Sequence, residues 1–309
     1  MSSSDKIKEI TLKAYSKRLE KRPMKSDFLH LKSLKEKLLN IKMKQAKLNK
    51  TAPCSRAKVI KVLKGLKRGT SRDPLGLANE LFHPDVAGND LIDAIYILMN
   101  RIKSEQVYPQ LMEFCNISSI FKGRGKRNNI NSYRGIFRIT VFRNVLDRLI
   151  YEDEYKTIDE RLTDSNIGAR KGRNIRDNIF VVGAIINEVI NGEAEAVDIC
   201  TYDIEKCFDA LWLEETLNDL SDTGLNNDKL PLLFLENENC KVAVKTPTGI
   251  TERIKLSKIV MQGTVWGSIK CTTQQDKLGK AAYKNKEPIG ANVVRAHARF
   301  PCEGRRIGH

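Results

Sequence analysis

Apolar positions near the start of the chain follow a helical spacing. In KSDFLHLKSLKEKLLNIKMKQ, residues 25–45, Phe28, Leu31, Leu34, Leu38 and Ile41 recur every three or four residues, behind Ser26 or Asp27 as a cap, and the other face is lysine. This spacing predicts an amphipathic helix. KTAPCSRAK, residues 50–58, reads as a linker, and KVIKVLKGLKRG as a basic helix before the turn-rich GTSRDPLG. In residues 89–102, Leu91, Ile95, Leu98 and Ile102 mark a core helix capped by Asn89 or Asp90. Further helices are expected over 141–155 and 176–192, the latter ending at Gly192. At AVDICTYDI, residues 196–204, the pattern changes to β-branched alternation and predicts a strand. Leu213, Leu217 and Leu220 restore helical spacing up to Gly224, and residues 240–256 predict a hairpin turning at Pro247, Thr248 and Gly249. Helices and strands mix without regular βαβ alternation, which predicts an α+β architecture.

Composition adds location and charge. The 309 residues suffice for one large domain or two modest ones. Apolar runs such as LPLLFL fall far short of the roughly 20 residues that cross a bilayer, and MSSSDKIKEI lacks the apolar core of a secretory signal. No membrane association is expected, and the chain is read as intracellular, nuclear or cytoplasmic, and not secreted. Seven cysteines form no CxxC pair and read as reduced thiols, and the four histidines show no zinc spacing. Residues 1–70 hold 21 Lys and Arg against 5 Asp and Glu, while residues 71–309 balance at 33 of each, so the whole excess of +16 lies in the first 70. Such a block suits phosphate neutralisation with counterion release, although a solvated helix face or an acidic protein partner would also account for it.

Four clusters carry candidate chemistry. FKGRGKRNNINSYRGIFR, residues 121–138, brings Lys122, Arg124, Lys126, Arg127, Arg134 and Arg138 together without an acid, and GARKGRNIR, residues 168–176, adds Arg170, Lys171, Arg173 and Arg176. Arginine grips phosphate with two parallel hydrogen bonds and lysine acts as a point charge, so both stretches suit a triphosphate or a nucleic-acid backbone. In CTYDIEKCFDALW, residues 200–212, Asp203 at a strand end could offer its carboxylate to a hard cation beside the Ile204 carbonyl, or serve as a turn residue. In KIVMQGTVWGSIKC, residues 258–271, small residues around Gln262 allow backbone to approach a ligand, with a helix starting near Gly267.

The order of these motifs resembles the fingers and palm of a reverse transcriptase, most nearly that of non-LTR retrotransposons of the long interspersed type. GLKRGTSRDPLGLANELF, residues 65–82, looks like that family's opening turn, and the resemblance covers about residues 60 to 284. It implies a right-hand polymerase domain over 59–284, preceded by a basic helical extension and linker over 1–58 and followed by a non-matching tail over 285–309. It further implies RNA-directed DNA polymerase (nucleotidyltransferase) chemistry with Mg²⁺ or Mn²⁺, an RNA template and a DNA primer. By resemblance, Asp203 is the catalytic metal ligand with the Ile204 carbonyl as companion, Phe208 lies under the nucleotide sugar, and Asp209 is structural. Lys122 and Arg134 hold the triphosphate, Gln262 and Gly263 line the nucleotide and template, and Arg124, Lys126, Arg127, Arg170, Lys171 and Arg173 contact nucleic acid. The family's Asp-Asp pair is absent, since no Asp-Asp dipeptide occurs in the chain. Two metal ions need more anionic oxygen than Asp203 supplies. The expectation is a truncated or mis-spliced copy, inactive as a polymerase. The alternative is a non-enzymatic nucleic-acid-binding protein that uses residues 1–70 and the fingers loops.

Overall fold

The computed structural model describes residues 3–19, 25–48, 52–192, 199, 207–238, 240–255 and 260–284. Apart from Ile199, the expected strand 196–204 with Asp203 and Ile204, and the tail 285–309, lie outside the described residues. The order is α1 (Ser3–Leu19), α2 (Lys25–Leu48), α3 (Arg56–Lys64), α4 (Asn89–Glu105), β1 (Phe114–Phe121), β2 (Tyr133–Ile139), α5 (Val141–Arg161), α6 (Ile175–Ile190), α7 (Cys207–Ala210), α8 (Leu213–Asp222), α9 (Leu230–Glu238), β3 (Lys241–Thr246), β4 (Gly249–Ile250), β5 (Ile254–Lys255) and α10 (Val265–Lys284). The mixture of helix and sheet is α+β. None of the described helices is long and apolar enough to cross a membrane.

Two compact units divide the chain: residues 1–161 with 205–274, and residues 162–204 with 275–309. The first contains a sheet ordered β2-β1-β3-β4, with β5 also pairing β3. β1 runs antiparallel to β2 and parallel to β3. The expected hairpin is present, with Thr246 opposite Gly249 across Pro247 and Thr248. Cys115, Ile117, Phe137, Val242, Val244 and Met261 form the core on one face of this sheet, and Tyr15 of α1 is buried among them. Its hydroxyl shares a 2.9 Å hydrogen bond with Ser119 Oγ. Gly135 makes room for that ring, because a Cβ there would lie 2.9 Å from Tyr15 Cε1. α2 packs on α8 and α9 through buried Leu31 and Leu38. Both helices of the basic amino-terminal segment thus belong to the first unit's packing.

Two local readings change. Residues 50–58 are not all linker: Ser55 Oγ accepts from Lys58 N and caps α3, which begins at Arg56. In α4, the inward residues are Ile92, Ile95, Met99 and Ile102, while Leu91 is exposed. Ile95 and Ile102 belong to both the expected and the observed inward set, while in the packing on α3 Ile92 and Met99 take the places expected for Leu91 and Leu98. Neither Asn89 nor Asp90 caps it; Gly88 occupies that position.

In the second unit, α6 starts at a capping box formed by Asn174 and Asp177. Asp276 Oδ1 accepts from Thr163 N at 3.0 Å and from Thr163 Oγ1 at 2.5 Å. Lys280, at 2.8 Å, completes the site. Burial pushes the Asp276 carboxyl up, but the Lys280 and Thr163 hydrogen bonds outweigh it and hold the group below its ordinary range.

Candidate nucleic-acid interface

The β1–β2 hairpin carries the first basic cluster, and its loop is internally braced. Lys122 N donates to Ser132 O at 2.8 Å, and Lys122 Nζ donates to Asn131 O, also at 2.8 Å. Phe121 and Tyr133 sit opposite each other at the base with ring centroids 5.4 Å apart. Tyr133 Oη donates to Arg127 O at 2.8 Å, and the Arg127 guanidinium lies 5.5 Å from the Phe121 ring centroid. Gly125 adopts a positive φ of 85° against Ser132. Arg124, Lys126 and Arg127 are exposed on this rigid tip, whereas Lys122 and Arg134 are half-buried at its base. Strand alternation puts Arg134, Ile136 and Arg138 on one face of β2.

Two distant motifs converge on β2. Phe137 N donates to Gln262 O at 2.9 Å, so the Gln262–Gly263 loop covers the outer edge of that strand. Gly263 has φ +101°, and a Cβ there would lie 2.9 Å from Ile136 Cγ2. From the other side, Arg138 donates to Ser71 Oγ of the opening turn. Burial lowers the Arg138 pKa, and the Asp73 charge opposes that shift. Asp73 accepts from Leu75 N and Leu77 N at 2.8 Å each and from Val141 N at 2.9 Å. One buried carboxylate therefore shapes the turn and satisfies an N–H at the start of α5.

The glycines of the 258–271 stretch serve the chain's own backbone. α10 starts at Val265, and Thr264 Oγ1 accepts from Gly267 N at 3.1 Å. A Cβ at Gly267 would collide with the Met261 carbonyl oxygen. Gly267→Ala gains about 1 kcal/mol of helix propensity, but the steric overlap costs about 1–3 kcal/mol and must displace the loop that covers β2. The expected result is a lower denaturation midpoint together with faster amide exchange at Phe137; unchanged exchange there would show that the loop does not depend on this close approach.

The remaining nominated residues divide. Phe208 is half-buried in α7. Arg170 is buried, with its guanidinium donating to Thr163 O at 2.7 Å and Asn166 O at 3.0 Å, so it serves the loop rather than facing a phosphate. Arg173 is exposed and paired with Asp164 at 2.6 Å, and Lys171 is exposed on the same loop. The residues nominated for a metal supply one carboxylate, that of Asp203.

Part of the basic block is internally neutralised. Lys58 pairs with Asp153, Lys61 with Glu152 at 2.9 Å, and Arg56 with Asp93, so three of the four cations of α3 are engaged by α5 and α4. Lys6, Lys13 and Lys17 of α1 and Lys32 and Lys44 of α2 are exposed. No model of a known protein family matches the chain, and no curated protein matches it.

The linear pattern missed a buried charge cluster. Arg143 and Asp147 of α5, Glu236 of α9 and Lys270 of α10 are each almost fully enclosed. Glu236 Oε1 lies 3.2 Å from Lys270 Nζ and 3.4 Å from Arg143 Nη2. Burial pushes the Glu236 carboxyl up, but the charges of Lys270 and Arg143 hold it below its ordinary value. Burial, reinforced by the neighbouring Glu236 charge, raises the Asp147 carboxyl well above its ordinary value. The sequence signal was polar residues four apart inside the apolar helix VFRNVLDRLI.

Proposed function

We propose that the chain is the fingers and part of the palm of a reverse-transcriptase-type RNA-directed DNA polymerase of retrotransposon origin, and that as given it binds nucleic acid without extending a primer. The observation that carries this reading is the 2.9 Å hydrogen bond from Phe137 N to Gln262 O. It joins two motifs that the resemblance assigns to one nucleotide pocket and that the sequence keeps far apart. Exposed Arg124, Lys126 and Arg127 lie at the tip of the same hairpin, where an extended backbone could meet them. Mg²⁺ or Mn²⁺ would supply charge neutralisation at the α-phosphate, with Asp203 and the Ile204 carbonyl as its protein ligands. Because the chain contains no Asp-Asp pair, incorporation is not expected.

The exposed lysines of α1 and α2 favour a second reading, a nucleic-acid-binding protein with no nucleotide pocket. Labelled poly(rA)/oligo(dT) tests both. Binding that weakens steeply with salt, without deoxynucleotide incorporation in Mg²⁺ or Mn²⁺, supports the proposal. Incorporation that Asp203→Asn abolishes would overturn the inactivity, and absence of binding at low salt would overturn both readings. Photo-crosslinking of a deoxynucleoside triphosphate to residues 122–134 selects the first reading; crosslinks of the nucleic acid to the amino-terminal helices and the 121–134 loop, with none of the triphosphate, select the second.

A further inference from the structure

Cys207 Sγ of α7 and Cys271 Sγ of α10 lie 2.8 Å apart, although 64 residues separate them in sequence. A disulfide bond is about 2.05 Å long, so a small side-chain movement would join them. Both residues belong to the first unit. Cys207 is half-buried and within reach of a small oxidant, while Cys271 is buried behind it. That arrangement places one approachable thiol directly on a second, shielded one. Burial without an approachable neighbour disfavours reaction of a thiol, and it pushes the Cys54 and Cys115 thiols up. Cys54 is buried with its thiol donating to Asn100 Oδ1 at 3.2 Å, and Cys115 and Cys240 are sealed in the sheet core.

We infer that Cys207 and Cys271 are a redox-active dithiol, with Cys207 attacking and Cys271 resolving, and that oxidation ties α7 to α10. With hydrogen peroxide as oxidant, the Cys207 thiolate attacks one peroxide oxygen, the O–O bond breaks, and hydroxide leaves, giving a sulfenic acid. Hydroxide takes a proton to become water. Cys271 sulfur then attacks the Cys207 sulfur, the S–OH bond breaks, and the second hydroxide leaves with the Cys271 proton as another water. Two thiols and one peroxide become one disulfide and two waters. The shared hydrogen bond, then burial, hold the Cys271 thiol far above its ordinary pKa, so its proton stays in place until this second step. The linkage would fix the segment carrying Phe208 to the helix that begins beside the Gln262–Gly263 loop. It also closes a long loop, which restricts the unfolded chain.

The experiment is limited peroxide treatment of the whole chain, alkylation of remaining thiols, and tryptic mapping without reductant. Cleavage after Lys206, Lys229, Lys270 and Lys277 places Cys207 and Cys271 in separate peptides, apart from those of Cys200 and Cys240. The expected result is peptide 207–229 joined to peptide 271–277 with the loss of two hydrogens, reversed by dithiothreitol. Cys271→Ser should halt at a Cys207 sulfenic acid that dimedone labels, and Cys207→Ser should leave Cys271 unreacted. Independent alkylation of both cysteines after peroxide, or a disulfide linking Cys207 to Cys200, would overturn the inference. Because these readouts are covalent, they are independent of whether the chain binds nucleic acid.

Discussion

Glu236→Ala lowers stability by about 3–5 kcal/mol, the largest single-residue effect expected in this protein. The residue sits between the Lys270 ammonium and the Arg143 guanidinium, each almost fully excluded from water. Removing the carboxylate takes away the anion that Lys270 and Arg143 share inside the enclosure. At this size of chain, a loss of that magnitude lowers the melting temperature by roughly 10 °C. Calorimetry decides the matter: a drop within the ordinary range for a surface substitution would show that water reaches the cluster.

The neighbouring carboxyl gives the opposite behaviour. Asp147 has its folded-state pKa raised, chiefly by burial and then by the Glu236 charge. The folded chain therefore holds a proton that the unfolded chain releases above about pH 3.9. Its contribution to stability is present below that pH and is lost as pH rises towards the folded value. Asp147→Asn removes this dependence while keeping the size and polarity of the side chain. The variant should match the parent near pH 4 and equal or exceed it at pH 7 in denaturant midpoint; a variant weakened more at pH 7 than at pH 4 would mean that Asp147 is ionised in the fold.

The second large effect concerns binding. Replacing Arg124, Lys126 and Arg127 together by Ala should weaken single-stranded nucleic-acid binding roughly 100-fold at low salt and make the slope of log K against log salt shallower by roughly 2. The loop's bracing hydrogen bonds run from Lys122 and Tyr133 to backbone carbonyls, so the triple replacement keeps them and loses only the Arg127–Phe121 contact. A charge-neutral control comes from Lys61→Gln with Glu152→Gln, which dissolves an ion pair without changing net charge. That variant should bind like the parent. Anisotropy titrations at several salt concentrations separate the outcomes, and equal losses in both variants would place the interface on α3 instead of the hairpin.

Some elements were readable because the determining signal is local. The helical spacing of 25–45 marked α2, Gly224 marked the end of α8, and the alternation around Pro247 and Thr248 marked the β3–β4 turn. The candidate interface was legible as composition: six cations without an acid in residues 121–138. The inward edge of α4 was not, because Leu91 and Ile92 fit the spacing equally well and only contact with α3 distinguishes them. Nor was the role of Arg170, whose charge suggested a phosphate and whose guanidinium instead satisfies two loop carbonyls.

By itself, the sequence determined the mixed helix and sheet composition, the turns, and the concentration of positive charge in the first 70 residues, since each depends on neighbours a few positions away. Only the tertiary structure decided which cations remain exposed, that the Gln262–Gly263 loop covers β2, that Arg143, Asp147, Glu236 and Lys270 share one enclosure, and that Cys207 meets Cys271. The reason is physical. Charge pairing, burial and thiol proximity are set by distances between residues far apart along the chain, and those distances exist only once the chain has closed on itself.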